Sequence, residues 1–170
     1  MNNLMFAEHV YNYTAERYLP ALLARMENIS GEMTAVLVTF LDRVTGNKIA
    51  GDGIKSRLIF GACKGSAVRL MEASEKLALC EALEDALSIM QCTDWPVWAC
   101  AGTSGLRAVQ IPPHVREVMI CADRDAAGAA AAKDLSARLV SEGKRVRIAT
   151  PPAPYKDFNQ LLRCGDSHAD

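Results

Sequence analysis

Two apolar runs that each stop on an acidic residue constrain this chain more than anything else in it. Leu77-Ala78-Leu79-Cys80 ends at Glu81, and Val118-Met119-Ile120-Cys121-Ala122 ends at Asp123, forty-two residues after Glu81. Behind each run the period changes. Leu83, Ala86, Leu87 and Met90 recur at i, i+3, i+4 and i+7, and Ala127, Ala131, Leu135 and Leu139 form a second stripe, the spacing of a helix face. Strands alternating with helices imply right-handed crossovers and a parallel sheet covered on both faces. In such a sheet, residues just past the strand ends converge on one crevice. Three or more carboxylates there repel one another unless a hard cation lies among them. Magnesium suits the place, because it prefers carboxylate oxygen and keeps most of its waters for substrate phosphates. The expectation is an α/β fold carrying a magnesium-dependent site for phosphate chemistry.

The rest of the chain is read by the same rules. Tyr11, Tyr13 and Tyr18 among Ala7, Val10 and Ala15 predict a helix over residues 1–19, ending at Pro20. Asn28-Ile29-Ser30-Gly31 is a turn, Thr34 to Leu41 a β-rich strand, and Gly46-Asn47 another turn. Glycines 51, 53, 61 and 65 punctuate a loop-rich stretch with short strands near Leu58–Phe60 and Val68–Leu70. Residues 20–74 thus read as a small α+β, mainly antiparallel, subdomain. From 75 to 165 strands are expected at Leu77–Cys80, Pro96–Cys100, Glu117–Ala122 and Arg145–Ala149. Gly102 to Gly105 reads as a tight loop, Gly143 as a helix C-cap, and Asp157 as the cap of a last short helix through Leu162. Residues 166–170 read as a disordered tail.

Composition excludes several classes. The net charge of −1 gives no global basic signal for nucleic acid, although local patches can still steer one. No apolar run approaches the length of a bilayer span, and no basic n-region with an apolar core opens the chain. The six cysteines contain no CxxC pair, and His9, His114 and His168 stand at no ligand spacing, so no zinc site is expected. Cys80, Cys100 and Cys121 fall inside apolar runs, as buried thiols do, which points to a reducing cytoplasm.

Four ordered segments carry a family resemblance: Glu81-Ala-Leu-Glu-Asp-Ala-Leu87, Gly102-Thr-Ser-Gly-Leu106, Ala122-Asp-Arg-Asp-Ala-Ala-Gly128 and Lys156-Asp-Phe-Asn-Gln160. Together they resemble the Toprim domain, closest to primases of phages, plasmids and mobile elements, over roughly residues 20–163. The resemblance implies a Rossmann-like parallel sheet flanked by helices, with a small β subdomain before it. It also makes Ala21–Met26 a strand, where propensity alone suggests helix. The implied activity is magnesium-dependent nucleotidyl transfer, making RNA primers on single-stranded DNA from nucleoside triphosphates, with manganese able to substitute. Alternatives are a magnesium-dependent nuclease or phosphodiesterase, and a non-catalytic nucleic-acid or protein-binding factor of a mobile element. The chain departs from the family pattern at Ala82 (usually Gly), Arg124 (usually Asn) and Gln160 (usually Asp). No CxxC or CxxH pattern precedes the domain, so a helicase or separate zinc-binding module is an implied partner.

By the same resemblance Glu81 is the general acid or base, and Asp123 and Asp125 hold the metal, with Glu81 and Asp157 as further ligands. Each has a plainer reading: a carboxylate favoured at a helix start, or a helix N-cap. Arg57, Lys64, Arg69, Arg124 and Lys156 are candidate contacts to template or nucleotide phosphates; scattered basic residues are more often solvated. Glu84, Asp85, Gly102 and Thr103 form a second tier. Trp95 and Trp98 flank a strand and read as core.

Overall fold

The computed structural model describes residues 3–165. They form two sheets, one antiparallel and one mainly parallel, with helices on the second. The antiparallel sheet runs β1-β2-β3-β4, from strands Leu4–Asn12, Arg17–Glu27, Met33–Phe40 and Arg57–Gly61.

The N-terminal helix expected over residues 1–19 is absent. Leu4–Asn12 is β1, and it pairs with β2 from Asn12↔Arg17 to Leu4↔Ala24. Aromatic and β-branched residues favour the pleated surface. The chain reverses because Asn12 Oδ1 accepts from the Thr14 and Ala15 N–H groups at 2.9 and 3.0 Å, an Asx-type turn. No helix forms in residues 20–74 either, so that part is β rather than α+β.

The second sheet has the order β5-β7-β6-β8-β9, from Val68–Arg69 (β5), Lys76–Cys80 (β6), Val97–Ala99 (β7), Glu117–Cys121 (β8) and Arg145–Ala149 (β9). Strands β7, β6, β8 and β9 are mutually parallel. Strand β5 was expected in the small subdomain. It instead joins this sheet as an antiparallel edge, pairing Val68↔Ala99. The period-2 alternation of β6 separates two cores. Leu77 and Leu79 face the helices Thr103–Ala108 (α2) and Ala126–Ser141 (α3). Ala78 and Cys80 face Leu83–Cys92 (α1) and the antiparallel sheet through Ala24, Met26, Ala35 and Leu37. The last helix, α4 (Phe158–Gly165), packs on α1.

Gly102 to Gly105 was expected to be a plain loop, but Thr103 starts α2. Its first turn follows Ala101 and Gly102, at φ +58° and +106°. Gly105 is fixed by proximity: a Cβ there would lie 1.6 Å from the Cys100 carbonyl oxygen. Gly143, at φ +79°, follows the end of α3 as the sequence predicts. Among the described residues no helix is long and apolar enough to cross a membrane.

Candidate active site

The strand order places β7 and β8 on opposite sides of β6, so the chain changes direction at β6. Ligands in open α/β sheets lie at such switch points, beyond the carboxyl ends of the strands. Cys80 and Cys121, the last residues of β6 and β8, are paired neighbours. Glu81 follows Cys80 directly, Asp123 follows Cys121 after Ala122, and both line one cleft of about 830 Å³. The opposite wall comes from the antiparallel sheet and its loop, through Leu22, Thr39, Lys48 and Arg57.

Glu81 is buried without full compensation. It is 8% exposed, and its Oε1 has no hydrogen-bond partner. Burial, then Asp123, Asp125 and Asp85, push its carboxyl up from 4.5 to about 7. Gly128, in the first turn of α3, lies close enough that a Cβ there would meet Asp123 O at 2.7 Å and Glu81 Oε1 at 3.0 Å. Asp123 is also raised, by burial first and then by Asp157 and Asp125.

Asp85, held in the second tier by the sequence, belongs in this cleft. It is 3% exposed and accepts from the Asn159 N–H at 2.9 Å, which ties α1 to the start of α4. Burial raises its carboxyl to about 6 in spite of that hydrogen bond. Asp157 lines the cleft and caps α4, accepting from Gln160 N–H at 2.7 Å. Asp125 caps α3, accepting from Gly128 N–H at 2.8 Å, and lies 3.7 Å from Lys156 Nζ.

The capping roles read as plain alternatives for Asp125 and Asp157 are therefore real, and each engages one carboxylate oxygen. Among the described residues, no three His, Cys, Asp or Glu side chains are grouped so as to hold one metal ion. The donor set nonetheless suits a hard divalent cation. Burial first, and then the charge of neighbouring acids, raise the carboxyls of Glu81, Asp85 and Asp123, and a buried oxygen of Glu81 has no partner.

The basic candidates separate. Arg57 donates to both Glu84 oxygens at 3.1 and 2.9 Å, and Lys48 Nζ lies 2.9 Å from Glu84 Oε1. Glu84 is consequently lowered in spite of its burial, and it is a bridge between the two walls. Lys156 lines the cleft, while Arg124 is exposed and outside its lining. Lys64 is exposed and also outside it. Arg69 is internal: 8% exposed, 4.2 Å above the Trp98 ring, paired with Glu27 and donating to the Asn28 carbonyl. Gly102 lines the cleft and Thr103 does not. Lys48, Asn159 and Arg163 line it without having been singled out. Lys48 carries no local signal, because it reaches the cleft only through the bridge Leu41↔Lys48 that closes its loop.

Fold and site together define a Toprim-type α/β domain. The chain belongs to the Toprim family, whose domain model matches residues 76–167. Residues 1–70 match a domain of unknown function. Among solved structures it is similar to a DNA primase domain from Pseudomonas aeruginosa (TM-score 0.59, 18% identity, 94% of this chain and 52% of that one). It is also similar to the Aquifex aeolicus primase with its zinc-binding and RNA polymerase domains (TM-score 0.56, 16% identity, 95% and 40%). A third is the DnaG primase catalytic domain bound to single-stranded DNA (TM-score 0.52, 18% identity, 88% and 49%). At these identities the likeness is one of fold, and the chain spans about half, or less, of the length of those structures. No curated protein matches the chain.

Proposed function

We propose that this chain is the catalytic part of a DNA primase of the phage, plasmid or mobile-element kind, joining ribonucleotides on a single-stranded DNA template. The observation that carries the proposal is the partnerless, buried oxygen of Glu81, set beside Asp123 at the ends of adjacent parallel strands. Uncompensated carboxylates facing a polar cleft are the arrangement that a phosphate-bound cation completes. Asp85 and Asp123 would hold magnesium, or manganese in its place, with Asp125 and Asp157 nearby and Glu81 beside the ion. When bound, such an ion polarises phosphoryl oxygens and lowers the cost of charge at the attacking and leaving oxygens.

The side chains of this protein do the rest. Glu81, titrating near 7, takes up the proton of the attacking hydroxyl. Lys48 and Arg57 face the triphosphate from the opposite wall, and Lys156 and Arg163 face it from the α4 side. Cys80, Cys100 and Cys121 are buried thiols outside any disulfide, which supports a place in the cytoplasm. A zinc-binding module and a helicase are the partners this activity calls for.

The test is incubation of the protein with labelled single-stranded DNA, ribonucleoside triphosphates and magnesium. Extended RNA products that disappear in Asp123→Asn and Glu81→Gln support the reading. Variants as active as the parent protein defeat it. Shortened strands without extension would make the chain a hydrolase.

A further inference from the structure

The face of the antiparallel sheet that walls the cleft continues beyond it. Residues directly opposed across an antiparallel sheet share a face, so Phe6, Leu22, Thr39 and Arg57 form one row across all four strands. Along β2 the period of two keeps Leu22, Pro20 and Tyr18 on that side. Leu22 lines the acidic cleft. Pro20 lines an adjoining hollow of about 240 Å³ together with Phe6 and Arg43, and Leu41 and Gly46 line both hollows. Past Pro20 comes Tyr18, paired with Tyr11, their ring centroids 5.3 Å apart. From Leu22 to Tyr18 the path runs about 13 Å along the strand.

This outer stretch has one packed face and one bare face. Leu19, pointing the other way, is buried in the core beside Val38 and Phe40. Phe6, Tyr11 and Tyr18 are 58, 48 and 64% exposed. The guanidinium of Arg43 donates to the Glu8 main-chain carbonyl at 3.3 Å and, among the described residues, has no carboxylate partner. The neighbouring Asp42 also lines the hollow, and its Oδ1 is engaged by its own loop, accepting from the Val44 and Thr45 N–H groups and the Thr45 hydroxyl. Glu8 also borders the hollow, its carboxylate 3.9 Å from His9.

We infer that Phe6, Tyr18 and Tyr11, with Arg43, form a stacking track that carries single-stranded nucleic acid to the cleft. Exposed aromatic rings accept any base through its π face, and the unpaired cation serves the phosphate between bases. With Arg43 as its one cation, the track itself adds a salt slope of only about −0.7 in log K against log salt. The inference rests on the proposed function for its direction, since the track leads into the catalytic cleft.

The experiment measures binding of the full chain to a mixed-sequence single strand containing 2-aminopurine, followed by anisotropy and by quenching of the stacked base. The double variant Phe6→Ala/Tyr18→Ala is expected to bind about tenfold or more weakly and to lose the quenching. Tyr18→Phe, which keeps the ring, is expected to bind as the parent does. Parent-like binding and quenching by the double variant would overturn the track. So would a change in molecular mass in solution with DNA binding intact, which would make this face a contact between copies of the chain. The two proposals fail separately. Asp123→Asn should bind DNA normally while making no primer. If it still makes primer, the cleft assignment is wrong and the track stands on the binding data.

Discussion

Gly128 lies against Glu81: a single methyl group added to its Cα would come within 3.0 Å of Glu81 Oε1 and 2.7 Å of the Asp123 carbonyl oxygen. The α3 helix approaches the ends of β6 and β8 this closely because it has no side chain there. A larger residue must move either the helix or the two strand-end acids.

Gly128→Ala is therefore expected to lose about 1–3 kcal/mol of stability, the usual cost of overpacking. The metal-dependent activity proposed above should fall further than that loss explains, because both nearest atoms belong to the candidate site. Urea denaturation and turnover at saturating magnesium check the two halves. Ala130→Ser, on the exposed side of the same helix, should stay within about 0.5 kcal/mol of the parent protein.

The acids predict a pH dependence with a definite sign. Glu81 is raised from 4.5 to about 7 and Asp85 from 3.8 to about 6. The folded chain thus binds these protons more tightly than the unfolded chain does, so stability falls as pH rises from about 4 to 7 and then levels off. Glu84 and Asp42 are lowered and act in the opposite sense, at more acid pH. Melting curves without divalent ions should show the fall. Glu81→Gln should flatten it and raise Tm at pH 8. Magnesium should raise Tm of the parent protein at pH 8 more than at pH 5, and that difference should shrink in Glu81→Gln.

The site was legible in the sequence where it depends on strand ends, and illegible where it depends on what another element brings across. Glu81 and Asp123 stand at the junction of an apolar run and a helical stripe, a position local patterning can find. The caps formed by Asp125 and Asp157 were visible for the same reason. Lys48 was not, because a turn between two strands says nothing of the wall it faces. Arg69 was misread because its charge is visible in a sequence, while Trp98 and Glu27, which enclose it, are distant in the chain. The N-terminal hairpin was lost to a bulge. Between Ala7 and Val10 the pairing shifts by one residue, which breaks the alternation that marks a strand and leaves a spacing of aromatics that imitates a helix.

Asp85 is expected to act as a staple for α4. Its Oδ1 holds the Asn159 N–H, and the Ser88 hydroxyl lies 3.4 Å from Asn159 Oδ1. Asp85→Ala removes the acceptor from a half-buried donor, at a cost of about 1 kcal/mol. The looser α4 should expose the segment before it, residues 151–157, to limited proteolysis. Asp85→Asn keeps an acceptor oxygen and should protect that segment, although it removes a charge facing the cleft. A protection pattern the same in both variants would show that α4 is held by its apolar contacts alone.

Arg69 is a structural cation, in contrast to Arg57, which is proposed to face the triphosphate. Its guanidinium stacks on Trp98 and pairs with Glu27, which is 6% exposed and also lies 2.9 Å from Arg25. Arg69→Met preserves much of the volume over the ring but leaves Glu27 with one cation instead of two. Breaking a buried pair costs about 3–5 kcal/mol, and the contact to Arg25 should keep the loss near the lower end. Arg57→Met, in contrast, removes a half-exposed cation from the cleft wall and should cost less than about 1 kcal/mol while weakening triphosphate binding. Denaturation curves and nucleotide titrations on the two variants should therefore give opposite orders: Arg69→Met the less stable, Arg57→Met the weaker binder.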